Sequence, residues 1–326
     1  MMLGNERLIS LIRKDVLGGN LSHAYLLTGE KGIGKKSLAR QMCLYAFCQR
    51  PENGEPCLTC PACRKVLSGN HPDILPVLHE KPEIIKVDEI REQLLDTVTV
   101  KPYEGKRKFY IVDEAEKMAP QAQNALLKSL EEPPQYVTIL LLAADEKALL
   151  DTVRSRCVKL RLEPVPDAEI LSFLETEYGV PKEKAEVCTA FAKGNPGLAA
   201  TLCSDETFGI LYKNTVNLCR NVRSMDAGAI FEAAKNLAEE PASLRDFFAL
   251  LSLWYRDVLM VKLSGVTSGL TFQDEKGALR RESSSVSAEG VSLLLSEIGL
   301  AQKRITANVN KELAIELLLL KMKETR

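Results

Sequence analysis

The sequence predicts an α/β domain with a parallel sheet in the first half of the chain and a largely helical second half. Up to about residue 162, continuous apolar runs alternate with stretches of helical spacing, a pattern typical of a parallel sheet covered on both faces. A glycine-rich turn joins the first apolar run to a helix. After residue 203 the periodicity is almost wholly helical.

Three apolar runs predict the strands. "HAYLLTG" (residues 23–29) enters the glycine turn, and the helix "SLARQMCLYAFC" (residues 37–48) follows. "FYIVDE" (residues 109–114) and "VTILLLAA" (residues 137–144) are two further continuous apolar strands. Between them, Pro120 begins a helix that Pro133 and Pro134 end.

The pattern changes near residue 163, where short amphipathic helices punctuated by Gly and Pro begin. We therefore predict three domains, namely an α/β domain at 1–162 with a cysteine module at 48–63, a helical lid at 163–205 and a helical domain at 206–326. In the last domain, long helices are expected at 242–263, 287–305 and 310–322, with a loop at 264–285. Apolar residues cover more than one face of the final helix, which predicts burial in the domain core, in an oligomer interface, or in both.

Composition excludes several classes of protein. The 43 basic and 44 acidic residues leave a formal charge of -1, which argues against a DNA-binding protein that acts alone through a basic surface. The longest apolar run, near residues 138–144, is too short to cross a membrane, and the first residues do not resemble a signal peptide. Nine cysteines suit a reducing compartment. We expect a cytoplasmic protein with no membrane partner.

Residues 29–37, "GEKGIGKKS", nearly spell a phosphate-binding loop. Gly29, Gly32 and Gly34 would let backbone N–H groups surround phosphates, and Lys35 would add a positive charge. The motif requires Ser or Thr next, as a magnesium ligand, but this chain has Lys36. Ser37 comes one residue late, about 100° further around the helix.

Two acids, Asp113 and Glu114, end the second predicted strand. At this place in a P-loop ATPase, the Asp holds magnesium and an adjacent Glu would orient the attacking water. A protonated Lys36 cannot bind magnesium and would repel the ion. We therefore predict a degenerate pocket in which nucleotide binding is weak or absent and hydrolysis is inefficient.

Four cysteines follow the first helix with the spacing C-x₈-C-x₂-C-x₂-C. They are Cys48, Cys57, Cys60 and Cys63. Four thiolates favour a closed tetrahedral site, which predicts a structural Zn²⁺. We expect the other five cysteines to be packing residues, and His71 to serve in a turn or cap.

Several strings resemble bacterial DNA polymerase III clamp-loader subunits. They are "GNERLISLIRKDV", "QNALLKSLEEPP", "LLLAADEKALLDTVRSRC" and the cysteine cluster. The resemblance is dense over residues 3–162 and fainter beyond. It implies an AAA+ module, a lid, and a helical collar through which five subunits form a ring.

Within that family, three positions favour the delta-prime type, which resembles the motor subunits but is typically silent in hydrolysis. Lys36 replaces the magnesium ligand, Ala143 and Ala144 replace polar threonines, and Gly197 stands where a motor would offer a lid arginine. The intact acids at residues 113 and 114 favour the alternative, a gamma/tau-type motor ATPase. A zinc-dependent nucleic-acid-binding module is a third alternative, disfavoured by the neutral net charge.

The string "SRC" (residues 155–157) matches the arginine-finger motif of that family. The resemblance implies that Arg156 enters the ATP site of a neighbouring subunit and stabilises charge on the transferred phosphoryl group. It also implies gamma/tau and delta subunits as partners within the polymerase III holoenzyme. The sliding clamp and primed DNA would be met only through the assembled complex.

Overall fold

The structure is a computed structural model that describes residues 2–79, 83–240, 243–265, 269–307 and 309–326. The chain divides into two compact units, one of residues 1–169 with 194–198 and one of residues 170–193 with 199–326. The division into three domains at 162 and 205 stays a prediction. Over the described residues, none of the helices combines the length and apolar character needed to cross a membrane.

The first unit contains a five-stranded parallel sheet, which confirms the predicted fold class. Its strands are β1 (Ala24–Thr28), β2 (Ile74–Val77), β3 (Lys108–Val112), β4 (Val137–Ala143) and β5 (Val158–Arg161). They lie side by side in the order β2-β3-β4-β1-β5, and each neighbouring pair is parallel. The two edge strands were not predicted. Both have only four residues and leave several partly or fully exposed, so neither appears as a continuous apolar run.

Helices cover both faces of this sheet. They are α1 (Glu6–Leu17), α2 (Lys35–Phe47), α3 (Pro61–Leu67), α4 (Val87–Ile90) with a π-helical turn at Arg91–Leu95, α5 (Pro120–Glu131) and α6 (Asp151–Arg154), with 3₁₀ turns at Ala115–Lys117 and Glu146–Ala148. Tyr25 and Leu27 of β1 pack with α1, α2 and α3, whereas Leu26 packs with α4 and α5. This alternation follows from the period of two residues in a strand.

The rest of the chain is helical. Its helices are α7 (Asp167–Tyr178), α8 (Lys182–Ala192), α9 (Pro196–Ser204), α10 (Glu206–Asn221), α11 (Ala227–Glu239), α12 (Leu244–Ser264), α13 (Lys276–Ser285), α14 (Ala288–Thr306) and α15 (Lys311–Glu324), with 3₁₀ turns at Val222–Ser224 and Gln273–Glu275. Within the second unit, α12 packs against α13 and α14, and α11 packs against α15. Helix α15 buries Ile315 and Leu319 in this core, while Leu313 and Leu317 remain exposed.

The predicted loop at residues 264–285 is wrong over its second half, because residues 276–285 form α13. The sequence of this helix is mostly polar, although one of its faces is buried. Ala278 and Leu279 are buried, and so is Glu282, which pairs with Arg223 at 3.0 Å. A charged residue that is buried through an ion pair leaves no apolar periodicity for sequence analysis to detect.

Candidate functional site

The glycine loop lies between β1 and α2, where the motif requires it. Gly32 and Gly34 have φ values of 91° and 116°, which favour glycine because other residues are strained there. Gly34 directly precedes α2, and Lys35 and Lys36 are the first two residues of that helix. The start of α2 therefore has the position of an anion-binding helix terminus.

The Lys35 ammonium is bonded to its own loop. Its Nζ atom donates to the Gly29 carbonyl at 2.6 Å and to the Glu30 carbonyl at 3.0 Å. Burial lowers the pKa of Lys35, and nearby acids, of which Glu116 contributes most, oppose that shift. In this arrangement, the Lys35 ammonium, which would contact a phosphate in an active pocket, donates its hydrogen bonds to backbone carbonyls instead.

The two acids that follow β3 form ion pairs with lysines. Asp113 pairs with Lys36 at 2.7 Å, and Glu114 pairs with Lys117 at 2.6 Å and with Lys31 at 3.6 Å. The hydrogen bond from Lys117 is the main cause of a lowered Glu114 pKa. An ammonium thus occupies the position beside Asp113 where a P-loop ATPase would hold magnesium.

Ser37 does not replace the missing hydroxyl. It lines a separate cavity of about 160 Å³ that also includes Met2, Arg40 and Glu55. This position agrees with the expected rotation of about 100° between successive helical residues.

A segment distant in sequence closes over the glycine loop. Asn195 donates from Nδ2 to the Lys31 carbonyl at 2.8 Å, and the Gly197 N–H donates to the Gly32 carbonyl at 3.0 Å. A Cβ atom at Gly197 would lie 2.6 Å from that carbonyl oxygen, so only glycine permits this approach. Sequence analysis missed the contact, because the two segments are more than 160 residues apart.

Arg156 lies between α6 and β5 and is held by three groups. Its Nη2 atom pairs with Glu131 Oε1 at 2.6 Å, and its Nη1 atom donates to the Thr152 carbonyl at 2.9 Å. The His23 ring nitrogen Nε2 lies 3.1 Å from the Arg156 carbonyl oxygen. The arginine side chain keeps 35% of its surface exposed, so the guanidinium is both fixed and accessible.

Arg156 and the glycine loop lie at opposite ends of the parallel strands. Arg156 is at the amino end of β5, and the glycine loop is at the carboxyl end of β1. Strand β5 runs parallel to β1, with Val158 beside Tyr25 and Arg161 beside Thr28. Arg156 precedes β5, whereas the glycine loop follows β1, so about four residues of strand, or roughly 13 Å, separate them. The arginine cannot reach a phosphate bound by its own chain.

The four cysteines form one cluster. Their sulfur atoms all lie within 4.8 Å of one another, and the Cys48 and Cys57 sulfurs are 3.7 Å apart. A tetrahedral Zn²⁺ with Zn–S bonds of about 2.3 Å would place its sulfurs about 3.8 Å apart. The donor set therefore fits a metal ion such as zinc.

Backbone N–H groups support this cluster. Those of Cys57, Cys60 and Cys63 point at the sulfurs of Cys48, Cys57 and Cys60, at 3.3–3.4 Å. Backbone hydrogen bonds, first from Thr59 and then from Cys60, lower the pKa of Cys57 to about 6, whereas burial raises the pKa of Cys63 above its usual range. A thiolate is the form that binds metal. His71 lies outside the cluster, where its Nδ1 accepts from the Asp73 N–H at 3.2 Å.

Comparison with known families matches most of the chain. Residues 4–166 match the family described as DNA polymerase III, delta subunit. Residues 211–324 match the family described as DNA polymerase III, delta subunit, C terminal. Both halves of the chain thus match subunits of the same polymerase.

Individual relatives agree with this assignment. The DNA polymerase III subunit delta' of Pseudomonas aeruginosa is 33% identical, with 93% of each chain covered. That of Bacillus subtilis is 29% identical over 98% of this chain and 96% of the relative. The tau/gamma subunit of Haemophilus influenzae is 35% identical, but only over 56% of this chain, which spans 26% of that relative's length.

Proposed function

Because the chain belongs to the DNA polymerase III delta-prime subunit family, we propose that it completes a neighbouring subunit's ATP site and does not turn over ATP itself. In this role it assembles in the cytoplasm with gamma/tau motor subunits and a delta subunit. The assembled loader places the sliding clamp on primed DNA. The subunit contributes to that ATP-driven step as an accessory to catalysis.

Three features of the glycine loop support a silent pocket. Lys36 pairs with Asp113, Lys35 is bonded to its own loop, and Gly197 approaches the Gly32 carbonyl. A nucleotide would have to displace the second and third of these contacts, and magnesium would have to displace the first. Together they favour weak or absent nucleotide binding by Gly29, Gly32, Gly34, Lys35 and the neighbouring Lys36, Ser37, Asp113 and Glu114.

The observation that carries the proposal is the position of Arg156. It lies at the amino end of the strands, opposite the carboxyl end where the chain's own glycine loop lies. An arginine finger stabilises negative charge that develops on a transferred phosphoryl group, and its planar fork suits phosphate oxygens. Since Arg156 is accessible yet cannot reach a phosphate in its own chain, the phosphate that it meets belongs to another subunit.

The test is Arg156→Ala in a loader reconstituted with motor and delta subunits. We expect ring assembly to persist and the clamp- and DNA-stimulated ATPase to fall, because one ATP site loses its trans arginine. Arg161→Ala is a matched control, since Arg161 is an exposed arginine of β5 that follows the finger. An ATPase that Arg156→Ala leaves unchanged would refute the proposal.

We also propose that the four cysteines hold a structural Zn²⁺. All four positions of a tetrahedral site would be filled by protein, which leaves no place for a catalytic water. The sulfur separations and the supporting N–H groups favour this assignment. The ion would fix residues 49–59, which are rich in turns, against α2 and α3.

A further inference from the structure

We infer that Glu131 is a positioning residue for Arg156, so that the neighbour's ATP site depends on this carboxylate although it meets no substrate. The inference rests on the proposed role of Arg156. Its basis is the ion pair of 2.6 Å between Glu131 Oε1 and Arg156 Nη2, together with the hydrogen bond from Nη1 to the Thr152 carbonyl.

These two contacts fix the plane of the guanidinium without using up its donors. A guanidinium has five N–H groups, and the two contacts engage only the Nη atoms. Over the part of the chain that the structure describes, the guanidinium makes no further polar contact, so its other N–H groups remain available for phosphate oxygens. A flexible arginine would lose conformational entropy when it binds the phosphoryl group in the transition state. Because Glu131 and Thr152 already hold the side chain in place, that entropy loss is smaller.

The location of Glu131 favours a role beyond stability. It is the last residue of α5, where a negative charge faces the negative end of the helix dipole and is mildly unfavourable. The pair is also half-exposed, with 50% of the Glu131 side chain accessible, and such pairs add little to folding. Removal of this charge should therefore leave the fold intact.

The experiment measures kcat and KM for clamp- and DNA-stimulated ATP turnover in the full reconstituted loader. The variants are Glu131→Gln, Arg156→Ala and the double variant, with Glu132→Gln as the matched control. Glu132 is also exposed and carries the same charge at the next position. The Arg156-dependent ATPase is defined as the wild-type rate minus the Arg156→Ala rate.

We expect Glu131→Gln to lower the Arg156-dependent ATPase about tenfold, by analogy with the loss of carboxylates that orient metal ligands, for which tenfold is the lower end of the range. The KM for ATP and ring assembly should not change. In the Arg156→Ala background, Glu131→Gln should cause no additional loss, because its effect passes through the arginine. Glu132→Gln should behave as wild type.

The outcomes separate the two claims. If Arg156→Ala lowers turnover but Glu131→Gln leaves it unchanged or raises it, the positioning role is wrong and the arginine finger stands. An additional loss in the double variant would also overturn the positioning role. If Arg156→Ala has no effect, the proposed function itself fails.

Discussion

At the scale of single residues, Lys36 stands where the phosphate-binding motif has a hydroxyl, and it pairs with Asp113. Its ion pair with Asp113 contributes at most about 1 kcal/mol to stability, because the Lys36 side chain is 73% exposed. Its effect on magnesium is larger. A divalent ion about 4 Å from the ammonium would be repelled by roughly 2 kcal/mol even at the dielectric constant of water. The pocket also lacks the hydroxyl ligand that the motif normally supplies.

We expect Lys36→Thr to tighten magnesium-dependent nucleotide binding by about 10- to 30-fold, because it removes that repulsion and restores a hydroxyl. The measurement is titration of the chain with a fluorescent ATP analogue, with and without Mg²⁺. Lys14→Thr is the control, since Lys14 is an exposed lysine of α1 that lies outside the glycine loop. Unchanged or weaker magnesium-dependent binding by Lys36→Thr would contradict this interpretation.

At the scale of elements, the cysteine module and the loop at 101–107 show what local patterns reveal and what they miss. The spacing of the cysteines predicts their cluster, because all four ligands lie within sixteen residues of sequence. In the sequence, residues 101–108 (KPYEGKRK) have the composition of an ordinary solvated, basic loop. In the structure, the buried carboxylate of Asp73 accepts from the N–H groups of Tyr103, Glu104 and Gly105. No sequence pattern links an aspartate to backbone donors thirty residues away.

We expect purified, unchelated protein to hold one zinc per chain, and Cys57→Ser to lose most of it, because a hydroxyl is a poor zinc ligand. Without the ion, residues 49–59 should open and become sensitive to protease, since metal binding supplies much of the folding free energy of such modules. Elemental analysis and limited proteolysis measure the two effects.

Cys157 lies outside the cluster, so the Cys157→Ser variant should keep its zinc. Zinc-free wild-type protein, or a Cys57→Ser variant that retains a full equivalent, would overturn the metal assignment.

At the scale of the whole molecule, sequence analysis predicted the three central strands of the sheet, β1, β3 and β4, and the clustering of the four cysteines. These features depend on continuous apolar runs and on residues adjacent in sequence. It did not predict the approach of Gly197 to Gly32 or the pairing of Glu131 with Arg156. Both contacts join residues that are not neighbours in sequence, with 165 positions between Gly32 and Gly197 and 25 between Glu131 and Arg156. A tertiary contact therefore lies over the glycine loop, in addition to the change of its motif at Lys36.

The most direct test of the account is ATP turnover by the purified, isolated chain, compared with Lys35→Ala and Lys36→Thr. We expect the wild-type rate to equal that of Lys35→Ala, which sets the background from contaminating enzymes. Steady turnover that Lys35→Ala abolishes and Lys36→Thr reduces would mean that this pocket hydrolyses ATP with the help of Lys36. That result would contradict the central claim that the chain serves catalysis only in a neighbouring subunit.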